Sequence, residues 1–224
     1  MKASMKLQPY CEECPYFDGV LLDSLKANVA FYSAVLRELG LPAIADDDHE
    51  KVYLCHTVTT PEVFAALLGP EQAERAVKIA AAIDYRQFIP LIVPEPGIMD
   101  LLAELSSTMP LAVATNRGNS MHDLSAYFGL DRYFSAILTS RDVVNGKPHP
   151  DLLLLASERL KLPVTDLLFV GDMDVDREAA RRAGMAFVGY KGHFPDSLTI
   201  QHHQELPQII RSISTGSGLP ASVV

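Results

Sequence analysis

Residues 166–184 read DLLFVGDMDVDREAARRAG. Leu167, Leu168, Phe169 and Val170 form a short unbroken apolar run, the pattern of a strand covered on both faces in a parallel sheet. Gly171 turns the chain, Asp172 follows at the carboxyl end of that strand, and from Val175 the sequence is helix-forming until Gly184 stops it. Ala179, Ala180 and Ala183 recur at spacings of three and four along that helix. A strand, an acidic turn and a helix place Asp172 and Asp176 at the carboxyl edge of a sheet, where open α/β sheets bind ligands. Capping of the helix by Asp172 and Asp174 is the competing reading of an isolated Gly-Asp pair.

Working outward, residues 93–213 alternate strand and helix. Residues 97–105, 120–128, 151–160 and 205–213 read as helices, and 111–114, 136–139 and 185–189 as strands. Such alternation implies a parallel sheet with right-handed crossovers. Before it, residues 25–92 read as all-helical, with Val29, Tyr32, Val35, Leu36 and Leu39 at helical spacing and a stop at Gly40 with Pro42 beyond. Asp46, Asp47, Asp48 and His49 suit a solvated loop better than a metal site. The Ser- and Gly-containing stretch 214–224 reads as a loose tail.

The 224 residues carry a net charge of -9 and 48% hydrophobic residues, which fits a globular chain with a sizeable core. That acidity argues against a nucleic-acid partner and against a polybasic membrane anchor. No apolar run approaches bilayer-spanning length, and residues 1–10 lack the apolar core of a signal peptide, so the cytoplasm is the default location. Three cysteines do not make a disulfide framework. Nothing in the sequence fixes the oligomeric state.

The succession DGVLLDS (18–24), helical insertion, VATN (113–116), GKPHPD (146–151) and FVGDMDVD (169–176) resembles the haloacid dehalogenase superfamily. Among its members it is most similar to the phosphoglycolate phosphatase and β-phosphoglucomutase type. The resemblance implies a Rossmann-like α/β core (1–24 and 93–224) with an inserted helical cap (25–92), a bound Mg2+, a phosphorylated small-molecule substrate and phosphoryl transfer through an aspartyl-phosphate. A phosphate ester repels nucleophiles, so such a site needs a metal and fixed donors aimed at the phosphoryl oxygens. By this resemblance Lys147 supplies the cation and Thr115 a hydroxyl, with Asn116 beside them in the phosphate-binding set, where it positions the loop of the second motif. Asp172 holds Mg2+, with Asp176 as ligand or brace and the Asp18 backbone carbonyl touching the metal. The Asp18 carboxyl is the general acid.

The first motif departs from the pattern. Two positions before Asp18, where the family has its aspartate nucleophile, this chain has Tyr16. A phenol has a reference pKa near ~10 and is a poor Mg2+ ligand beside a carboxylate. The expected consequence is weak or lost classical phosphatase activity. Two alternatives stand beside a weakened hydrolase: a non-catalytic descendant that binds a phosphorylated small molecule or a protein, and a metal or redox module. The latter would be built on Cys11-Glu12-Glu13-Cys14, with Cys55 and His56 completing a zinc site.

Overall fold

The computed structural model describes residues 19–118, 120–217 and 222–223. The chain divides into two compact units, one helical and built on Leu25–Asp84, the other α/β and comprising residues 19–24 and the chain from Tyr85 onward.

In the helical unit, α1 (Leu25–Glu38) buries Ala27, Tyr32, Val35 and Leu36, and the chain leaves it through Gly40 at φ 74°. Helices α2 (His49–Thr57), α3 (Thr60–Leu68) and α4 (Pro70–Ala82) complete the bundle. Asp48 is the N-cap of α2, its Oδ1 accepting from the Lys51 amide at 3.3 Å, so the acidic run that reads as a loop ends in a helix start. Glu62 reaches back to the Thr59 amide at 2.9 Å and fixes the entry to α3. The bundle core joins Tyr32, Val35, Leu36, Val52, Val63, Phe64 and the small residues Ala73, Ala76 and Ala80, whose size lets α4 come close. Tyr32 meets Phe64 edge-on at 5.4 Å, and its hydroxyl pairs with the Thr60 hydroxyl at 3.1 Å.

In the α/β unit, a short antiparallel ribbon pairs β1 (Leu22–Asp23) with β2 (Val93–Pro94). Strands β3 (Ala112–Thr115) and β4 (Ala136–Thr139) pair in parallel. Strands β5 (Leu167–Gly171), β6 (Ala186–Tyr190), β7 (Leu198–Ile200) and β8 (Ser222–Val223) form a second parallel sheet in the order β7-β6-β5-β8. An isolated parallel bridge from Val223 to Leu111 sets β8 between β5 and the residue that leads into β3. Helices α5 (Ile98–Ser106), α6 (Ser120–Phe128), α7 (Asp151–Leu160), α8 (Asp174–Ala183) and α9 (Leu206–Ser217) complete the unit.

All five residues of β5 are buried, as its apolar run requires. Its neighbours in the core are Ala112, Ala114, Leu138, Leu152, Leu153, Ala156, Ala179 and Ala180. Leu152 and Leu153 are wholly buried, each contributing about 1.5–3 kcal/mol of transfer free energy against an exposed side chain. The parallel α/β core with its helical insertion is the architecture expected from the sequence.

Two local readings need correction, and one strand goes unread in the sequence. Stretch 214–224 is not uniformly loose: α9 runs on to Ser217 and residues 222–223 pair with β5, while 218–221 and 224 lie outside the described residues. Strand β7 escapes a periodicity reading because three residues are too few to show alternation. Helix α8 starts at Asp174 with Met173 as N-cap, and it is Asp176 that returns to the Met173 amide, so Asp172 and Asp174 do not supply the cap.

Candidate active site

The two parallel pairs bring Thr115, at the end of β3, and Asp172, just past the end of β5, to the carboxyl edge of their sheets. Lys147 reaches this edge from the loop between β4 and α7. Its Nζ donates to the Ala114 carbonyl at 2.9 Å, pairs with Asp176 Oδ1 at 2.7 Å and lies 5.2 Å from the centroid of the Phe169 ring. The side chains of Lys147 and Asp176 are only 10% and 6% exposed, so the pair is a low-dielectric one whose partners depend on each other.

The second oxygen of Asp176 accepts from two backbone amides, those of Asp172 at 3.2 Å and Met173 at 3.1 Å. Both carboxylate oxygens are therefore engaged, and Asp176 ties Lys147 to the turn that carries Asp172. Gly171 makes this possible: a Cβ there would lie 2.4 Å from Asp176 Cβ. Gly171→Ala is expected to force β5 and α8 apart and to destabilise the protein by about 1–3 kcal/mol, the usual cost of overpacking. The midpoint of urea unfolding measures this, and an unchanged midpoint would show that the turn yields freely.

Asn116 holds the Lys147 backbone on both sides. Its Nδ2 donates to the Lys147 carbonyl at 2.8 Å and its Oδ1 accepts from the Lys147 amide at 2.7 Å. Gly146 leaves room for this clasp, since a Cβ there would stand 2.7 Å from Asn116 Oδ1. The Thr115 hydroxyl oxygen accepts from the Arg117 amide at 3.1 Å, which leaves its proton to donate elsewhere. The Arg117 guanidinium stacks over Tyr85 at 5.5 Å and donates to the buried Ser24 hydroxyl at 2.8 Å, so it anchors the segment that follows Asp18 in sequence. Arg117 is absent from the residues singled out above; its place directly after Asn116 is the one signal that could have marked it.

Of the candidate residues, the structure joins Asn116, Lys147 and Asp176 in one bonded set, places Thr115 at the end of β3 next to the Ala114 carbonyl that Lys147 holds, and carries Asp172 on the turn that Asp176 braces. Asp18 and Tyr16 lie outside the described residues. So do Cys11 and Cys14. Cys55 is 3% exposed, and burial pushes its thiol up to about 12, which disfavours the thiolate a zinc site needs. Among the described residues no three Asp, Glu, His or Cys side chains converge as a metal cage. Asp172 is an oxygen donor of the kind Mg2+ takes, braced through its backbone amide by Asp176, and that ion commonly uses one or two carboxylates plus water and substrate oxygens, so these residues fit it.

No helix among the described residues is long and apolar enough to cross a membrane. The chain matches the family model for haloacid dehalogenase-like hydrolases over residues 17–190. It is 34% identical to a phosphoglycolate phosphatase of Shigella boydii over 92% of this chain and 91% of that protein. It is 32% identical to a probable phosphatase of Dickeya dadantii over 77% of each. A haloacid dehalogenase superfamily hydrolase of subfamily IA from Geobacter sulfurreducens superposes with a TM-score of 0.76 at 40% identity, over 86% of this chain and 92% of that one. With motif order, parallel core and helical insertion all in agreement, the chain belongs to the haloacid dehalogenase-like hydrolases.

Proposed function

We propose that this chain is a Mg2+-dependent phosphomonoester phosphatase of the phosphoglycolate phosphatase type, acting on a phosphorylated small molecule, in which Tyr16 keeps classical turnover weak. The observation that carries the reading is the largely desolvated Lys147 ammonium, held between Asp176 and the Ala114 carbonyl, one residue before Thr115 on β3. A fixed cation and a hydroxyl donor at a sheet's carboxyl edge are what a phosphoryl group requires.

In this reading Lys147 and Thr115 bind the phosphoryl oxygens. Asn116 serves that set by clamping the Lys147 backbone. Mg2+ would be held by Asp172 and the Asp18 carbonyl. Asp176, whose two oxygens already serve Lys147 and the Asp172 turn, acts as the brace. When bound, the ion would offset the charge of the phosphoryl oxygens. Water forms the new bond to phosphorus as the ester P–O bond breaks, the Asp18 carboxyl protonating the leaving oxygen and the resulting carboxylate taking up the proton that the water loses. Tyr16 supplies neither a good nucleophile nor a carboxylate ligand, which also favours a second reading: a binding protein for a phosphorylated small molecule with the same anion pocket.

The test of the shared pocket is direct. Crystals soaked in inorganic phosphate are expected to show the anion beside Lys147, Thr115 and Asn116, and calorimetric Mg2+ binding is expected to be weak and lost in Asp172→Ala. An anion bound only elsewhere, or Mg2+ binding indifferent to Asp172→Ala, would remove the site.

A further inference from the structure

A second charge cluster, with a buried acid and a half-buried cation, stands on the other flank of Asp172. Glu95, which follows β2, is 6% exposed, and its Oε2 accepts from the Tyr190 hydroxyl at 2.8 Å and the Lys191 ammonium at 2.6 Å. Tyr190 ends β6, is 1% exposed and stacks on the imidazole of His203 at 4.4 Å and 14°. Burial, and then Glu95, raise the Tyr190 phenol well above its ordinary value, so it remains a donor. Burial lowers His203 to about 4, so the ring is neutral and adds no charge to the cluster. Among the described residues neither ring nitrogen has a partner in full hydrogen-bonding geometry, and the Val20 backbone lies near enough to offset a small part of the effect of burial.

The cluster touches the two segments whose acids the proposed site needs. On one side the Glu95 amide donates to the Leu21 carbonyl at 3.0 Å, and the β1–β2 ribbon pairs Leu22 with Pro94, so the stretch that follows Asp18 is carried on the backbone of Glu95. On the other side Lys191 adopts φ 57°, a conformation unfavourable for a side chain with a Cβ, and its amide donates to the Ile200 carbonyl at 2.8 Å. The next residue, Gly192, packs on the backbone of Asp172: a Cβ there would lie 3.0 Å from the Asp172 carbonyl oxygen. The Asp172 carboxylate is near enough for its charge to act on Tyr190.

Stability alone does not account for such a cluster, because an ion pair taken largely out of water is often matched or bettered by apolar residues of similar volume. Directionality is what the charged arrangement supplies and an apolar one does not. We infer that Glu95, with Tyr190 and Lys191 as its donors, is a positioning network that sets the spacing between the segment following Asp18 and Asp172. This rests on the reading of Asp172 as a Mg2+ ligand given above.

The experiment compares the full native chain with Glu95→Gln, Glu95→Asp and Tyr190→Phe, by Mg2+ calorimetry and by hydrogen exchange read by mass spectrometry. Val35→Ala, in the core of the helical unit, serves as a benchmark of simple destabilisation. Glu95→Gln is expected to weaken Mg2+ affinity about tenfold, the lower end of what loss of an outer-shell partner costs, and Tyr190→Phe to weaken it less. Exchange should quicken in residues 19–23 and 171–176 while β3 and β4 keep their protection. Glu95→Asp keeps the charge and shortens the reach; it should fold like the native chain and still bind Mg2+ more weakly. Native affinity in all three variants with native exchange in both segments would overturn the network, as would a uniform quickening matching Val35→Ala. Mg2+ binding indifferent to Asp172→Ala would instead sink the metal reading, and the exchange pattern would then decide the network by itself.

Discussion

Tyr16→Asp is expected to raise phosphomonoester turnover by orders of magnitude over a native rate close to background. The substitution restores three things together: a carboxylate nucleophile, an anionic metal ligand, and an acid two positions before Asp18. A thousandfold gain corresponds to about 4 kcal/mol of barrier, a modest demand on a restored nucleophile and ligand. The assay is a panel of phosphomonoesters with Mg2+ present. Asp18→Asn in the Tyr16→Asp background is the control, and it should remove most of the gain if Asp18 handles the proton. Native turnover on the order of 1 per second or faster would show that Tyr16 does not limit this chain. Inactivity of both forms would move the fault to residues 11–17, where Glu12, Glu13 and Pro15 stand in place of an apolar strand, and would favour the binding-protein reading.

The parallel core was legible because its strands carry their signal locally. Leu167 to Val170 can be apolar throughout only if both faces are covered, and Gly171 with Asp172 marks the edge without help from distant residues. The bonding within the site was less legible. That Lys147 and Asp176 belong to one site follows from motif order, but the use of both Asp176 oxygens depends on a close approach at Gly171 that no spacing rule encodes. Asn116 reads as positioning the loop of the second motif within the phosphate-binding set, but its clasp on the Lys147 backbone is visible only once the 146–147 loop is folded against β3. Glu95 was invisible for a similar reason. Within Pro94-Glu95-Pro96-Gly97 it reads as a solvated turn acid, and only the arrival of β6 buries it under Tyr190 and Lys191. The Ser- and Gly-bearing end misled because its composition hid both the continuation of the 205–213 helix to Ser217 and the two-residue pairing of Ser222–Val223 with β5.

Lys147→Met is expected to be the most destabilising single change at the site. Methionine fills much of the volume of the lysine stem, so cavity formation contributes little and the effect isolates the charge. What remains is the Asp176 carboxylate, 6% exposed, with the Asp172 and Met173 amides, among the described residues, to stabilise it. Removing one partner of a buried ion pair costs about 3–5 kcal/mol, because the survivor stays desolvated without its counter-charge. For a chain of this size each kcal/mol lowers the melting temperature by about 2–4 °C, so a fall of roughly 6–20 °C should be seen by thermal or urea denaturation. Asp176→Asn in the Lys147→Met background should recover much of the loss, since the amide oxygen still accepts from the two backbone N–H groups and no buried charge is left. Such a rescue of stability would leave phosphate binding lost, because the cation is gone in both variants. A cost below about 1 kcal/mol, the range of exposed pairs, would mean that water reaches Asp176 and that Lys147 is not fixed in the way a phosphoryl site requires. A double variant no more stable than Lys147→Met would place the penalty in packing against Phe169 and the Ala114 carbonyl, and would remove Asp176 from its bracing role.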